Sequence, residues 1–358
     1  LKIRQPIEHA TGTGATMSTS ADTKQTQTTL TVNSRRHVPM YFDTEELAME
    51  IDDFTERHIA PAVSKLAAMV ESDFAETVLN GVSNVIHAGT AVAFAEILQG
   101  RKKLVDNLAP DGDRHAILDT QANVDLVNEL KGLFNDTKEV SKMYKEGYMG
   151  RTGGFDFMEN TILPAHTTGV AGGTSDYLVN DAAAGVADIS ASDLLSEGTL
   201  IIDTGTKTIK AGDTFTLASV FSVHPETKVS TGVLKTFTVL ADIAGAGTMQ
   251  IAPNIVTAGN YQNVSAAPAD SSAITFLGAA STAYNQSVVF QKGFAAFATA
   301  DLKMPKNVSF ASRRVFDGIS MRLVQDYDII KDREYTRLDV LYGFKVLRPQ
   351  LACKILHT

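Results

Sequence analysis

A chain of 358 residues with 44% hydrophobic side chains can bury two or three cores, and its net charge of −9 disfavours nucleic-acid phosphates and anionic membranes as partners. Its one cysteine, Cys353, excludes an intrachain disulfide, and no apolar run approaches the roughly 20 residues that a spanning helix needs. The opening LKIRQPIEHATGTG lacks the apolar segment of a signal peptide, and Leu1 is not an initiator methionine, so further residues are expected before it.

Residues 1–42 hold nine threonines and few large apolar side chains before Val32. That composition reads as an extended arm or long loop rather than a packed core. At Asp43 the character changes. Asp43 and Glu46 have capping-box spacing, and Leu47, Ile51 and Phe54 follow at helical intervals. Pro61 suits a first helical turn. Ala62, Leu66, Val70, Phe74 and Val78 then recur every four residues, predicting a helix of about 30 Å that ends near Asn80–Gly81.

Residues 90–134 read as helix, strand, helix. TAVAFAEILQGRKKLVDNL is amphipathic, RHAILD is a short buried strand, and NVDLVNELKGLF sets Leu126, Leu130, Leu133 and Phe134 on one face. From about Gly169 to Thr282 small residues dominate, and alternating runs such as TFTLA and TFTVL are separated by Gly, Asn, Asp and Pro. This is the pattern of a small all-β domain. No arginine occurs between Arg151 and Arg313, so that stretch is poorly equipped for bidentate recognition of phosphate or carboxylate. In YTRLDVLYGFKVL, alternation of Leu338, Val340, Tyr342, Phe344 and Val346 predicts a strand of about 13 residues, or about 40 Å. ISMRLVQDYDII is its expected hairpin partner, with the charges of DYDIIKDRE solvating the turn between them.

The stretch GYMGRTGGFDFMENTILP, residues 147–164, fails as a phosphate loop. It has no Gly-Lys-Ser/Thr ending, and it precedes a strand rather than the helix whose N-terminus would hold the anion. Gly147, Gly150, Gly153 and Gly154, with Gly172 and Gly173, are therefore read as hinge candidates. The eight histidines are scattered, with no pair at metal-ligand spacing on one helical turn. Asp113, His115 and Asp119 read as turn and strand rather than as an acid–base site. Arg101, Lys102 and Lys103 read as a solvated helix face or as ion-pair partners for a neighbouring subunit. Neither a catalytic nor a cofactor-binding nor a metal-binding residue is expected.

Four segments carry a resemblance: GGFDFMENTILP, IKAGDTFTLASVFSVHPETK followed by KTFTVL, VVFQKGFAAFATADL, and the terminal YGFKVLRP with Arg348 and Pro349. In that order the chain resembles the major capsid (coat) proteins of tailed double-stranded DNA bacteriophages, in the branch carrying an inserted β-domain. The resemblance implies an α+β fold: a spine helix, a long β-hairpin, a compact axial α/β domain and an inserted all-β domain, Ig-like or a β-barrel. It divides the chain into an extended arm (1–42), a peripheral domain (43–89 with 313–358), an axial domain (90–168 with 284–312) and the insertion (169–283).

The implied function is that of a structural virion protein and not an enzyme. Its subunits would assemble as pentamers and hexamers into an icosahedral head, with scaffolding and portal proteins as partners. The head would enclose packaged double-stranded DNA without sequence-specific binding or membrane contact, and it would be built in the host cytoplasm. A β-rich surface or adhesion protein, binding a ligand through its middle domain, is the alternative. An enzyme with an α/β core would need a catalytic set that the residues do not supply.

Overall fold

The four-residue recurrence after Pro61 folds as α1, Ala60–Asn80, in the computed structural model, which describes residues 1–9, 26–43, 55–130, 150–180, 195–316 and 318–358. Pro61 sits in the first turn, where its missing N–H costs nothing. A π-turn, Thr55–Ile59, leads into the helix. Glu46, Leu47, Ile51 and Phe54 of the expected preceding helix lie outside the described residues, as do Leu133 and Phe134. The chain divides into two units, each with its own core. One comprises Leu1, Thr29–Ala75 and Ala296–Lys345, and the other comprises Lys2–Thr28, Glu76–Ala295 and Val346–Thr358.

The first unit is organised by one long strand, Arg333–Val346. Ile319–Asp328 pairs with it antiparallel from Asp328 opposite Arg333 to Met321 opposite Val340, which is the hairpin read from the sequence. Phe310–Phe316 extends the sheet beyond that arm. On its other side the long strand takes Ser34–Asp43, with Ser34 opposite Tyr342 and Asp43 opposite Arg333. This differs from the composition-based reading of 1–42 as a weakly packing arm. The threonine-rich neighbourhood conceals an alternation of Arg36, Val38, Met40 and Phe42, which period-2 geometry puts on one face.

The two faces of the long strand have different chemistry. Leu338, Val340 and Tyr342 pack against Leu66 and Val70 of α1, with Val38 and Phe344 beside them. At about 1.5–3 kcal/mol per buried large side chain, this apolar contact is what docks the helix. Arg36 adds a fork to Asp73 of α1, with Nε and Nη2 each 2.7 Å from a carboxylate oxygen, and the Tyr342 hydroxyl donates to the same carboxylate. On the opposite face Asp339 is fully buried. It accepts from Arg35 Nη2 at 3.0 Å, Arg322 Nη2 at 2.6 Å and Arg337 Nε at 2.7 Å. Burial raises the Asp339 carboxyl, but the hydrogen bonds from Arg322, Arg35 and Arg337 outweigh it and hold the group below the usual carboxylate range.

In the second unit a mixed sheet runs Asn84–His87, Ala352–His357, Ala283–Gln291, Arg114–Leu118, Phe155–Glu159 and Arg151–Thr152. The helices α2, Phe94–Asp106, and α3, Thr120–Leu130, flank its strands in sequence as the helix–strand–helix pattern requires. Gly100 lets α2 approach the sheet closely, because a Cβ there would lie 2.8 Å from Val289 Cγ2. The boundaries read from the sequence need correction here. Asn84–His87 and Ala352–His357 join this sheet rather than the unit of the long hairpin, while Ala295–Thr299 pairs in the hairpin's sheet. Both faces of Ala352–His357 are covered, so its near-continuous apolar run is that of an interior strand.

The insertion forms a closed six-stranded barrel in the order Gly198–Asp203, Gly247–Ala252, Ser230–Val239, Thr214–Val223, Ala273–Phe276 and Tyr177–Val179. Closure leaves no free edge in the inner, ring-forming part of these strands. Alternating residues supply its interior: Leu200 and Ile202, Phe215 and Leu217, Phe237 and Val239 are all essentially inaccessible. Phe215 stacks on Phe237 at 5.6 Å between ring centroids and touches Phe276 at the same separation.

Replacing Asp339 with Asn is expected to lower the stability of the isolated subunit by about 3 kcal/mol, since it removes the buried carboxylate shared by three arginines and leaves the largely buried Arg322 without its charge partner. The depressed carboxyl contributes stability that is present above the ordinary aspartate range and lost as pH falls through the folded-state value. Urea unfolding from pH 7 to pH 3 should therefore show a shallower acid loss in Asp339→Asn than in the parent chain.

Candidate functional site

Two chain segments connect the barrel to the sheet of the second unit, and they are zipped into a neck. Thr168 N donates to Thr282 O at 3.0 Å, Ser281 N to Gly169 O at 3.2 Å, and Phe276 N to Thr174 O at 3.0 Å. Gly172 lies where a Cβ would stand 2.7 Å from Ala279 O, so the two segments meet this closely only with glycine there. Gly173 follows with φ of 69°.

A polar cluster sits at the base of this neck. Asp213, at the head of a barrel strand, is buried. Its carboxylate shares a hydrogen bond with His166 Nε2 at 2.9 Å and accepts from Gly169 N at 3.1 Å and Lys210 N at 2.9 Å. Beside it Lys354, fully buried on the last strand, donates from Nζ to Gly212 O at 2.6 Å. Burial pushes the Lys354 ammonium down to about 8, against the opposing pull of Asp213. Thr238 Oγ1 donates to Asn80 O at 3.0 Å, which joins the barrel wall to the C-terminal end of α1. Three barrel residues thus hold three segments of the compact sheet region through buried hydrogen bonds.

Other surfaces carry apolar groups with nothing over them. At the turn of the long hairpin Ile329 is 84% exposed and Ile330 93%. The turn is ordered, because Asp328 Oδ1 accepts from Ile330 N at 2.9 Å and the Tyr327 hydroxyl donates to Asp332 at 2.6 Å. Next to it the Arg333 guanidinium lies 4.7 Å from the centre of the Tyr41 ring, and Tyr41 neighbours Tyr335 at 6.4 Å. Isoleucines beside tyrosine and arginine on a pre-ordered tip have the chemistry of an interface anchor. In the second unit Val229 and Val233 are also exposed, on the outer half of the barrel hairpin.

Gly153 and Gly154, with φ of 60° and 89°, form the two-residue turn between Arg151–Thr152 and Phe155–Glu159. Both central positions of such a turn need the left-handed region, which accounts for the Gly-Gly pair. Gly150 also has positive φ, and Gly147 lies outside the described residues. His115 sits on its strand with its ring near Phe290, at 5.7 Å, and the structure does not bring it together with Asp113 or Asp119. Asp113 is instead a turn residue with φ of 53°. Among the described residues no group of three or more His, Cys, Asp or Glu side chains converges as a metal site. Cys353 is buried, and burial pushes its thiol up to about 12. Asp213, His166, Lys354 and Asp339 escaped the sequence reading. The charge of Lys354 inside the apolar run LACKIL was the one available signal.

The family model described as P22 coat protein, gene protein 5, matches residues 1–356. Among solved structures, the capsid of cyanophage P-SCSP1u is similar with a TM-score of 0.53 at 10% identity, covering 100% of this chain and 83% of that one. The mature capsid of bacteriophage PhiM1 aligns over 100% of this chain and 82% of that chain, at 12% identity and a TM-score of 0.49. The CUS-3 coat protein I-domain is 33% identical over 30% of this chain and 98% of its own length, with a TM-score of 0.23. No match is found among curated proteins.

The lowered Lys354 value has a definite sign. Between about 8 and the ordinary lysine value of 10.5 the unfolded chain binds more protons than the folded one, so stability rises with pH across that window. Denaturation midpoints measured from pH 7 to pH 10.5 should climb in the parent chain, and Lys354→Met should remove part of the climb.

Proposed function

The chain belongs to the P22 coat protein family and is a major capsid protein of a tailed double-stranded DNA phage, and on that premise we propose how its parts serve the shell. Subunits associate as pentamers and hexamers into a closed icosahedral head around packaged DNA. The unit of the long hairpin serves as the peripheral domain, the mixed sheet as the axial domain near the capsomer centre, and the barrel braces its own subunit or touches a neighbour. Scaffolding and portal proteins are the partners of assembly, which takes place in the host cytoplasm.

The single observation that carries this reading is the ordered hairpin tip with Ile329 and Ile330 almost fully exposed. A lone subunit gains nothing from displaying them, whereas a repeated interface buries them in every copy. The net charge of −9 supports the same reading, because packaged DNA requires a wall that does not bind it. Assembly then rests on many weak contacts multiplied by closure. Gly147, Gly150, Gly153, Gly154, Gly172 and Gly173 are the proposed joints that let one sequence fit both pentamers and hexamers.

Negative-stain electron microscopy of the concentrated protein with its scaffolding protein tests the proposal. Closed shells of uniform diameter are expected, and a persistent monomer would overturn it. Replacing both Ile329 and Ile330 with Ser should leave the melting temperature of the subunit within about 2 °C while reducing shell yield severalfold. Gly154→Ala, strained at its positive φ, should cost about 1 kcal/mol of stability. Under the joint reading it also broadens the distribution of shell diameters, and an unchanged distribution would remove that glycine from the set.

A further inference from the structure

The basic run on α2 has a counterpart that the sequence does not reveal. Between the last turns of α2 and the outer half of the barrel hairpin lies a cleft of about 290 Å³. Its walls bear Lys102 and Lys103 from the helix and Lys235 from the hairpin, against one carboxylate, Asp106. Three ammonium groups and one carboxylate give the lining a charge of +2, on a chain whose net charge is −9. None of the three ammonium groups has a hydrogen bond or ion pair with a described residue.

Four of the polar residues around them are already committed. The Asn84 amide donates to Gln350 O and Ala352 O, the Asn107 amide to Lys103 O, and Ser222 bonds to Thr231. Lys235 is drawn into the cleft next to a break in the strand register between Thr216 and Phe221, where Ser219 adopts a φ of 63°. Such a bulge re-aims side chains. Burial and the nearby Lys103 push the Lys235 ammonium down to about 8, which records how little here compensates its charge. Lys235 is half-buried on its strand, and an ammonium held there beside Lys103 with no anionic partner is electrostatically unrelieved.

We propose that this cleft is an oxyanion site that takes a phosphate group between Lys103 and Lys235, with Lys102 at its mouth. The choice of phosphate follows from the donors. Lysine binds phosphate as a compact point charge, and a tetrahedral anion offers oxygens to ammonium groups arriving from different walls, whereas a carboxylate offers two in one plane and a single charge. A lining charge of +2 matches one inorganic phosphate dianion or two successive phosphodiesters of a strand. The volume, roughly that of ten waters, admits a phosphate with part of its hydration and excludes a helix or a strand. A bound phosphate would bridge α2 and the barrel hairpin, adding a clamp distant from the neck. The phosphate can be a free ion or belong to a nucleic-acid backbone. This inference does not depend on the shell-forming reading.

The test is thermal unfolding of the full chain at pH 7 in inorganic phosphate, or with a short single-stranded oligonucleotide, each against chloride of matched ionic strength. Phosphate is expected to raise the midpoint of the parent chain, and Lys235→Met to weaken phosphate binding at least tenfold by titration calorimetry. Lys292→Met, on the exposed surface, is the control and should bind as the parent does. If Lys235→Met does not fold, Lys102→Met at the mouth should still weaken binding severalfold. A shift with phosphate alone identifies the free ion as the source, and one with the oligonucleotide that Lys235→Met abolishes identifies backbone phosphate. Equal shifts in parent and variants, or none in the parent, would overturn the proposal. So would protection of these lysines from acetylation only on self-association, which would assign the cleft to acidic side chains of a second copy.

Discussion

Two opposite charges removed from water at the base of the neck set the terms for the second unit. Asp213 comes from the barrel and Lys354 from the last strand of the sheet, and neither is accessible to solvent. Each would be strongly destabilising alone, because an unpaired buried charge loses its hydration without recompense. Their environments are completed by His166, Gly169, Lys210 and Gly212, which lie on the segments leading into and through the insertion. The barrel and the sheet therefore supply each other's missing partners. An insertion attached only by a flexible linker would not place a lysine in the middle of an apolar strand.

The neck gives this electrostatic requirement its geometry. Paired backbone at Thr168, Gly169, Ser281 and Thr282, and a glycine at 172 that admits the Ala279 carbonyl, hold both connections side by side. With that spacing enforced, Asp213 is delivered to His166 while the closed barrel keeps its own apolar interior intact. The first unit solves a related problem within one sheet. Its long strand turns apolar residues to α1 and encloses Asp339 among three arginines on the other face, so both sides of the strand are committed. The tip stays uncommitted. The ordered turn holding Ile329 and Ile330 is where a repeating structural protein has apolar surface left for its neighbours.

Much of the architecture is legible in the sequence. The α1 helix follows from apolar side chains four residues apart, and the long hairpin from alternation in YTRLDVLYGFKVL and its partner. The all-β character of the insertion follows from short alternating runs between turn residues. The strand Ser34–Asp43 was obscured because its alternation includes Arg36, which is apolar neither in composition nor in pattern. Arg36 belongs to the inner face because its guanidinium meets Asp73 there. The sheet membership of Asn84–His87 and Ala352–His357 was missed for another reason. A short apolar strand carries no mark of which strands it will join. The hinge candidates illustrate a third case, since Gly153 and Gly154 were legible as special backbone, whereas their place in a two-residue turn depended on the pairing of Arg151–Thr152 with Phe155–Glu159.

By itself the sequence determined the type of each long element, the presence of an inserted β-domain and the resemblance to phage coat proteins. These are carried by periodicity and segment order, and periodicity depends only on near neighbours in the chain. Tertiary structure alone decided that Asn84 and Cys353 lie side by side in one sheet, that the insertion closes on itself, and which charges are buried. Asp213, Asp339 and Lys354 could each have been a surface residue. Only the folded chain brings their partners close enough to offset the loss of water, and those partners are spread across distant parts of the sequence.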